Sequence, residues 1–172
     1  RALALIDTLV PGRLQRVSLS KPAVFVDYAH TPAAVEASAK ELSKDFDELT
    51  IVLSASGNRD AGKRPEMAKA AALHANRIVV TDQHPRDEEP AQIRSEVISG
   101  LEAFEDFTHI DAAAKGVGEN EDGGALRALG NLGSFAQNEV VKSVVTESRL
   151  VLLASKDELE LFAEVTELFG GL

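Results

Sequence analysis

The sequence predicts an α/β fold in which a mostly parallel β-sheet packs against helices. Short apolar runs rich in β-branched residues alternate along the chain with segments of helical periodicity, which is the pattern of successive β-α-β units. The length of 172 residues is enough for one domain with a buried core. We therefore predict a single domain over residues 1–172, and we expect it to be a fragment of a longer chain because it begins with arginine and not methionine.

Strand–helix units are predicted three times in the first part of the chain. The predicted strands are runs of apolar and β-branched residues that cover residues 23–26, 50–53 and 77–81. Each run is followed by a helical pattern that begins at a proline, which the first helical turn tolerates because the N–H group lost there has no partner in the helix. These helices are predicted to begin at Pro32, Pro65 and Pro90.

The rest of the chain has a weaker pattern. A short strand is predicted over residues 107–110, and a flexible excursion over residues 116–133, where six glycines and several acids disfavour a packed element. A helix over residues 135–147, a strand over residues 149–154 and an amphipathic helix in "DELELFAEVTELF" complete the predicted fold.

Composition and charge exclude several classes of function. A net charge of −10 repels phosphate backbones, so we expect no nucleic-acid partner. No apolar run approaches the roughly 18 residues of a membrane-spanning helix, so we expect no membrane partner. The absence of cysteine excludes disulfides and thiolate metal sites and fits a cytoplasmic protein. A metal site built from His30, His84 and carboxylates lacks any recognised ligand spacing, so we expect no metal site.

Polar residues follow the first predicted strand. The segment "FVDYAHTP" places Asp27, Tyr28 and His30 where this strand gives way to the helix. Ligands of open α/β sheets collect beyond the carboxyl ends of the strands, so Asp27 is a candidate acceptor for a ribose and His30 a candidate N–H donor to a phosphate. The alternative is structural: Asp27 or Thr31 caps the helix, and His30 is an ordinary polar residue.

A basic cluster follows the second predicted strand, in "SASGNRDAGKRP". Its glycines and Lys63 have the G-x-x-x-x-G-K spacing of a phosphate loop, but Arg64 stands where that loop needs a hydroxyl group for magnesium. We therefore do not expect the ATP phosphate loop here. Arg59, Lys63 and Arg64 beside a helix N-terminus instead predict a site for a carboxylate or phosphate. The alternative is a solvated loop with surface salt bridges.

The third predicted strand ends in "TDQHPRDEEP", which places Asp82, His84 and Arg86 in one loop. Asp82 and Arg86 are candidates for substrate contacts, and the alternative is that they form a salt bridge with each other. Glu88 and Glu89 lie near the N-terminus of the next helix, where negative charge is favourable, so we expect a structural role for both. Together, the three strand exits suit an anionic substrate and a nucleotide.

Four segments resemble one known family. "VPGRLQRV", "VDYAHTP", "GNRDAGKRP" and "VVTDQHPRDEEPAQIRSEV" occur in the order and spacing typical of the C-terminal domain of Mur ligases. Over residues 10–100 the chain is most similar to the type that adds the third amino acid to UDP-N-acetylmuramoyl-dipeptide in peptidoglycan synthesis. The resemblance implies the last domain of a three-domain chain, with a Rossmann-like, dinucleotide-binding-like fold that has helices on both faces of its sheet.

The resemblance also implies an activity and its partners. Mur ligases are ATP-dependent acid–amino-acid ligases in which ATP phosphorylates a carboxylate and the amine of the incoming amino acid attacks the acyl phosphate. The implied partners are the UDP-N-acetylmuramoyl-peptide, an amino acid, and the N-terminal and central domains of the same chain. In the family the central domain carries the phosphate loop and the ligands of Mg²⁺, so the isolated C-terminal domain is expected to be inactive.

Individual residues acquire roles from the resemblance. Nucleotide contacts are implied for Arg13, Asp27 and His30, and His30 is also the candidate catalytic residue. Substrate contacts are implied for Arg59, Gln83, His84, Arg86, Lys156 and Glu158, and the basic cluster adds Lys63 and Arg64 as candidate substrate-binding residues. Physical chemistry agrees, because a carboxylate substrate needs a fixed cation and an acyl phosphate needs cationic neighbours.

The chain departs from the family pattern where the amino acid is recognised. "TDQHPR" replaces the usual "TDDNPR", so Gln83 and His84 stand in place of an acid and an amide. Residues 54–56 replace glycines, and "ASKDEL" replaces "AGKGHE", so that Lys156 matches but Glu158 lies one place early. The added amino acid stays open between diaminopimelate, lysine, ornithine and others. Two other functions stay open: a folylpolyglutamate synthetase-like ligase domain, and a noncatalytic paralogue that acts as a binding module.

Overall fold

Six strands form one sheet in the part of the chain that the structure describes. The structure is a computed structural model, and it describes residues 10, 12–18, 21–104, 107–112, 143, 147–148 and 150–154. The strands are β1 (Gln15–Arg16), β2 (Ala23–Asp27), β3 (Thr50–Ala55), β4 (Arg77–Asp82), β5 (Thr108–Ala112) and β6 (Leu150–Ala154). Their order across the sheet is β1-β2-β6-β3-β4-β5. β1 is antiparallel to β2 and the other described pairs are parallel, which confirms the predicted α/β class.

The strands after which ligand residues were predicted end later than the sequence pattern suggested. β2, β3 and β4 continue to Asp27, Ala55 and Asp82 because parallel pairing extends into the polar residues. The register pairs Ala55 with Asp82 and Asp27 with Ala154, so the carboxyl ends of these strands lie at one edge of the sheet. The strand predicted over residues 107–110 is β5, shifted toward the C-terminus, and β1 is too short to produce a sequence pattern.

The described helices are α1 (Pro32–Leu42), α2 (Lys63–Ala72) and α3 (Pro90–Ser99), and α2 packs against both others. α1 and α3 begin at the predicted prolines, but α2 begins two residues before Pro65. Thr31 caps α1, because its side chain accepts a hydrogen bond from the backbone N–H of Ala34 at 3.3 Å. Of the two candidate caps, the structure therefore selects Thr31 over Asp27.

The core lies between the sheet and these helices. Buried side chains from β3, β4, α1 and α2 form one cluster that includes Ile51, Leu53, Ile78, Val80, Val35, Ala39, Met67, Ala68 and Ala71. Burial of each large aliphatic side chain contributes about 1.5–3 kcal/mol. A Cβ on Gly100 would lie 2.1 Å from the carbonyl oxygen of Pro65, so the end of α3 meets the start of α2 only because Gly100 has no side chain. This packing fixes the start of α2 beside the strand ends.

Some sequence-based predictions fall outside the described residues. The excursion over residues 116–133 and the last helix lie there, and of the helix predicted over residues 135–147 the structure describes Ser143 and Glu147, both helical. Within the described ranges, none of the helices has the length and apolar character needed to cross a membrane. The same ranges contain no group of three or more His, Asp or Glu side chains that could hold a metal ion.

Candidate functional site

A cavity of about 250 Å³ brings together residues from all three strand exits. Its lining consists of His30, Ser54, Ala55, Ser56, Arg59, Lys63, Met67 and Gln83. His30 follows β2, Arg59 and Lys63 follow β3, and Gln83 follows β4, so four of the sequence-predicted site residues surround one space. Two predicted substrate residues lie outside the described part of the chain: Lys156 and Glu158.

The wall of this cavity is basic although the chain as a whole is acidic. Arg59, Lys63 and His30 are the titratable side chains in the lining that the structure describes, and that lining includes no carboxylate. Ser54 Oγ donates a hydrogen bond to Gln83 Oε1 at 3.0 Å, which joins the ends of β3 and β4. With cations, hydroxyl groups and an amide around it, the cavity suits a carboxylate or a phosphate.

Asp82, which precedes Gln83, forms an ion pair with Arg94 of α3. Asp82 is buried and pairs with Arg94 at 2.5 Å, and Arg94 also contacts Asp111 of β5 at 2.5 Å. Burial opposes the charge of Arg94, but the hydrogen bonds with the two aspartates outweigh it and raise the pKa of Arg94. Asp82 thus has a cationic partner other than Arg86, which the sequence had suggested for a salt bridge.

Asp27 organises the turn that carries Arg13. Its Oδ2 accepts a hydrogen bond from the backbone N–H of Leu14 at 2.5 Å, and the N–H of Tyr28 donates to the carbonyl oxygen of Gly12 at 2.8 Å. The turn requires left-handed backbone, with φ of 69° at Gly12 and 44° at Leu14. Asp27 is buried, and the side-chain contact that the structure shows for it is this internal one.

Tyr28, for which the sequence predicted no role, contacts both Arg13 and His30. The guanidinium carbon of Arg13 lies 4.3 Å from the centroid of the Tyr28 ring, which is a cation–π distance. The rings of Tyr28 and His30 meet edge to face with centroids 4.7 Å apart. His30 Nδ1 lies 2.9 Å from the carbonyl oxygen of Tyr28 and carries a proton there, because a carbonyl only accepts. Nε2 of His30 therefore accepts a proton when the ring is neutral and donates to a phosphate only when the ring is charged.

Arg64 lies in a buried ion cluster and is not among the cavity-lining residues. Its side chain is 1% exposed, and Nη1 donates to Glu88 Oε2 at 2.7 Å and to Glu96 Oε2 at 2.6 Å. The hydrogen bond with Glu88 raises the pKa of Arg64, and the hydrogen bonds from Arg64 lower the pKa of Glu88 and of Glu96. Arg64, predicted to contact the substrate, is thus engaged with two carboxylates of the protein itself.

The loops after β3 and β4 are joined to each other. The N–H of Gly57 donates to the carbonyl oxygen of His84 at 2.9 Å, and a Cβ on Gly57 would lie 1.8 Å from the carbonyl oxygen of Pro85. Backbone φ is positive at Asn58 (52°), His84 (33°) and Arg86 (55°), a conformation that is costly for residues other than glycine. His84 and Arg86 thus belong to a strained loop beside the cavity and are not among its lining residues.

Amides of the G-x-x-x-x-G-K segment already have partners within the protein. The N–H of Gly57 is taken by His84, the N–H of Asn58 donates to Oε1 of Glu88, and the N–H of Gly62 donates to Oδ1 of Asp60 at 3.0 Å. A phosphate loop turns such amides toward its phosphate. Their internal hydrogen bonds agree with the expectation that this segment is not the ATP phosphate loop.

Comparison with known proteins identifies the family. A family model for the Mur ligase, glutamate ligase domain, matches residues 12–132, which are most of the chain. The chain belongs to this family. The resemblance to the C-terminal domain of Mur ligases is therefore confirmed, and the parallel sheet of this Mur ligase domain agrees with it.

The relatives of this Mur ligase domain include UDP-N-acetylmuramoyl-L-alanyl-D-glutamate–2,6-diaminopimelate ligases. The ligase of Rickettsia montanensis is 42% identical over 113 residues, which are 61% of this chain and 23% of the relative. That of Aquifex aeolicus (strain VF5) is 45% identical over 104 residues, which are 59% of this chain and 21% of the relative. The matched region thus covers about a quarter of the length of these curated relatives.

Solved ligase structures share the fold of this domain. A structure of UDP-N-acetylmuramoyl-L-alanyl-D-glutamate–2,6-diaminopimelate ligase matches with a TM-score of 0.68 and 24% identity, over 94% of this chain and 32% of that chain. A Mycobacterium tuberculosis folylpolyglutamate synthase complexed with ADP and AMPPCP matches with a TM-score of 0.58 and 24% identity, over 95% of this chain and 33% of that chain. At such identities both comparisons show the fold alone.

Proposed function

We propose that this Mur ligase domain is the C-terminal part of an ATP-dependent ligase that adds an amino acid to a UDP-N-acetylmuramoyl-peptide in peptidoglycan synthesis. The main support is the basic cavity at the ends of β2, β3 and β4 in a chain of this family. In this proposal residues 1–172 form one domain of a longer cytoplasmic protein. The other domains supply the phosphate loop and the Mg²⁺ ligands, and this domain is inactive without them.

The cavity offers what a carboxylate substrate needs. Arg59 brings a planar guanidinium and Lys63 an ammonium group to its lining, and both form strong charge-assisted hydrogen bonds with carboxylates. We assign one of them to the α-carboxylate of the incoming amino acid, whose amine is thereby directed at the activated carbonyl carbon. The C–N bond forms, the C–O bond to phosphate breaks, and phosphate leaves with the electron pair. Neutral His30, whose Nδ1 proton is held by Tyr28, accepts the amine proton at Nε2.

The nucleotide is assigned to the surface formed by Arg13 and Tyr28. Arg13 is exposed to solvent, and we assign a phosphate to its guanidinium and a base to the Tyr28 ring beside it. Asp27 supports this surface by holding the backbone of Leu14. ATP supplies the phosphoryl group that activates the peptide carboxylate.

The charge of the cavity bears on which amino acid is added. Gln83 replaces an acid of the family pattern, and the described lining has no carboxylate to balance a second ammonium group. Diaminopimelate also has a second ammonium group, but a distal carboxylate lies next to it and can bind whichever of Arg59 and Lys63 does not hold the α-carboxylate. Lysine and ornithine end in an ammonium group alone. We therefore propose diaminopimelate, the amino acid in the names of the relatives, over lysine and ornithine.

Phosphate release by the full-length protein tests this proposal. With ATP, Mg²⁺ and UDP-N-acetylmuramoyl-dipeptide, we expect release to depend on the amino acid and to be fastest with diaminopimelate. Arg59→Met is expected to lower kcat/KM by roughly 10- to 100-fold, the value of one charge-assisted hydrogen bond. Lys40→Met, on the exposed side of α1, is the control and is expected to have no effect. ATP hydrolysis that ignores the muramoyl peptide would contradict the proposal.

A folylpolyglutamate synthetase-like ligase is the second candidate. The folylpolyglutamate synthase structure shares the fold, and a basic cavity without a carboxylate also suits glutamate. The same assay decides between the two when a reduced folate and glutamate replace the muramoyl peptide and diaminopimelate. No release with either pair, from folded protein, would favour a noncatalytic paralogue that binds but does not ligate.

A further inference from the structure

We propose that Glu88, held by Arg64, is a positioning residue that sets the place of Arg59 at the cavity wall. Neither Glu88 nor Arg64 is among the residues that line the cavity, so the effect of both is indirect. The inference rests on the proposed function in treating the cavity as the amino-acid site. Its first measurable consequence, the order of the loop that carries Arg59, does not depend on catalysis.

Arg64 reaches the segment before Arg59 in two ways. Nη2 donates to the carbonyl oxygen of Ser56 at 3.2 Å. Nη1 donates to Oε2 of Glu88 at 2.7 Å, and Oε1 of the same carboxylate accepts the backbone N–H of Asn58. One buried guanidinium therefore holds a carbonyl group directly and an amide through a carboxylate, both within three residues of Arg59.

The backbone at Asn58 needs such support. Its φ of 52° lies in the left-handed region, which residues other than glycine occupy only when their surroundings hold them there. Asn58 also donates from Nδ2 to Asp87 at 2.7 Å, and Gly57 donates to the carbonyl oxygen of His84 at 2.9 Å. These partners belong to the loop after β4, as Glu88 does, so the carboxylate of Glu88 acts where the two loops beside the cavity meet.

Glu96 provides a matched comparison for Glu88. Both side chains are 31% exposed, and Arg64 Nη1 lies 2.6 Å from Glu96 and 2.7 Å from Glu88. The second side-chain partner of Glu96 among the described residues is Gln92 of α3, at 3.0 Å, and not the loop. The two donors meet different oxygens of Glu88, Oε2 for Arg64 and Oε1 for Asn58, so a glutamine in the same position presents its NH2 group, which cannot accept, to one of them. Glu88→Gln and Glu96→Gln both weaken the ion cluster, but only Glu88→Gln also weakens the hydrogen bond to the backbone N–H of Asn58.

The test compares Glu88→Gln with Glu96→Gln in the full-length protein. We expect Glu88→Gln to accelerate amide hydrogen exchange in peptides that span residues 55–62 and to raise KM for the amino acid, each by roughly tenfold, with a smaller change in kcat. Glu96→Gln is expected to leave both quantities near their wild-type values, although the two variants lose similar thermal stability. Arg64→Lys is expected to follow Glu88→Gln, because an ammonium group cannot replace the planar fork that serves Ser56 and the carboxylates.

Each outcome decides the inference. Equal changes in the two glutamine variants, or unchanged exchange in Glu88→Gln, would reduce the cluster to a stabilising ion pair. Faster exchange with an unchanged KM would also overturn the inference, because the loop would then not set the place of Arg59. If the wild-type protein releases no phosphate with any amino acid, the proposed function fails instead, and the exchange comparison alone decides whether Glu88 positions the loop.

Discussion

Lys63 and Arg64 are adjacent in the sequence but lie in opposite environments. Lys63 lines the cavity, whereas Arg64 is 1% exposed and paired with Glu88 and Glu96. They are the first two residues of α2, where successive side chains point about 100° apart around the helix axis. Adjacent positions on α2 thus place Lys63 at the cavity and Arg64 in the buried ion cluster. A cluster of charge in a sequence therefore locates a candidate site, but the rotation of the helix decides which residues belong to it.

Loss of the buried cation Arg64 is expected to have the largest effect on stability. Arg64→Met removes a buried charge with two partners, and we expect the free energy of unfolding to fall by about 3 kcal/mol, at the low end for broken buried pairs because both glutamates are partly exposed. Urea unfolding measures this change. Lys69→Met on the same helix is the control: its pair with Glu66 is 44% and 54% exposed, so a loss below about 1 kcal/mol is expected. Similar losses in the two variants would remove the distinction between buried and exposed cations of α2.

Separation of the two loops is expected to have an intermediate effect. Gly57→Ala would place a Cβ 1.8 Å from the carbonyl oxygen of Pro85, so the loops must move apart, and we expect a loss of about 2 kcal/mol. Gly62→Ala is the control, because its Cβ would meet only the movable side chain of Asp60, at 3.3 Å. Thermal unfolding and KM for the amino acid should both distinguish the two variants. If Gly57→Ala unfolds at the wild-type temperature and has the wild-type KM, the close approach of the loops contributes neither to stability nor to substrate binding.

The smallest effect on stability is expected from acidification, through Glu88 and Glu96 in the ion cluster of Arg64. The hydrogen bonds from Arg64 lower the folded-state pKa of Glu88 and Glu96 below the ordinary value of about 4.5. Their contribution to stability is therefore complete above that pH and is lost as the pH falls through the lowered folded-state values. Urea unfolding from neutral pH to about pH 3 should show a shallower loss in Arg64→Met than in the wild type. Parallel curves would mean that Arg64 does not set the pKa of either glutamate.

The fold and the position of the site were predictable for a physical reason. Apolar β-branched runs between helical patterns specify β-α-β units, and the carboxyl ends of parallel strands share an edge. That rule alone brings His30, Arg59, Lys63 and Gln83 together, although they come from three separate segments. The family resemblance, carried by the same segments, is confirmed by the match over residues 12–132.

The remaining features depend on details that the sequence pattern does not contain. The helix after β3 was predicted to begin at Pro65 but begins at Lys63, and the direction in which Arg64 points follows from that start. Arg94 was not singled out because its partners, Asp82 and Asp111, lie on strands and become neighbours only when α3 packs across the sheet. The backbone conformation of Asn58 likewise follows from the contact between two loops and not from local propensity.

The central position of β6 determines when the site can first exist during protein synthesis. β6 lies between β2 and β3 and pairs in parallel with both, although Leu150–Ala154 follows β3 by more than half the length of the chain. A nascent chain that has not yet emerged to residue 154 has unpaired edges on β2 and β3, and such edges favour association with other chains. His30 follows β2 and Arg59 follows β3, so insertion of this late strand sets the spacing between the two walls of the cavity. A translation product that ends before β6 is therefore expected to be prone to aggregation and to lack the complete cavity.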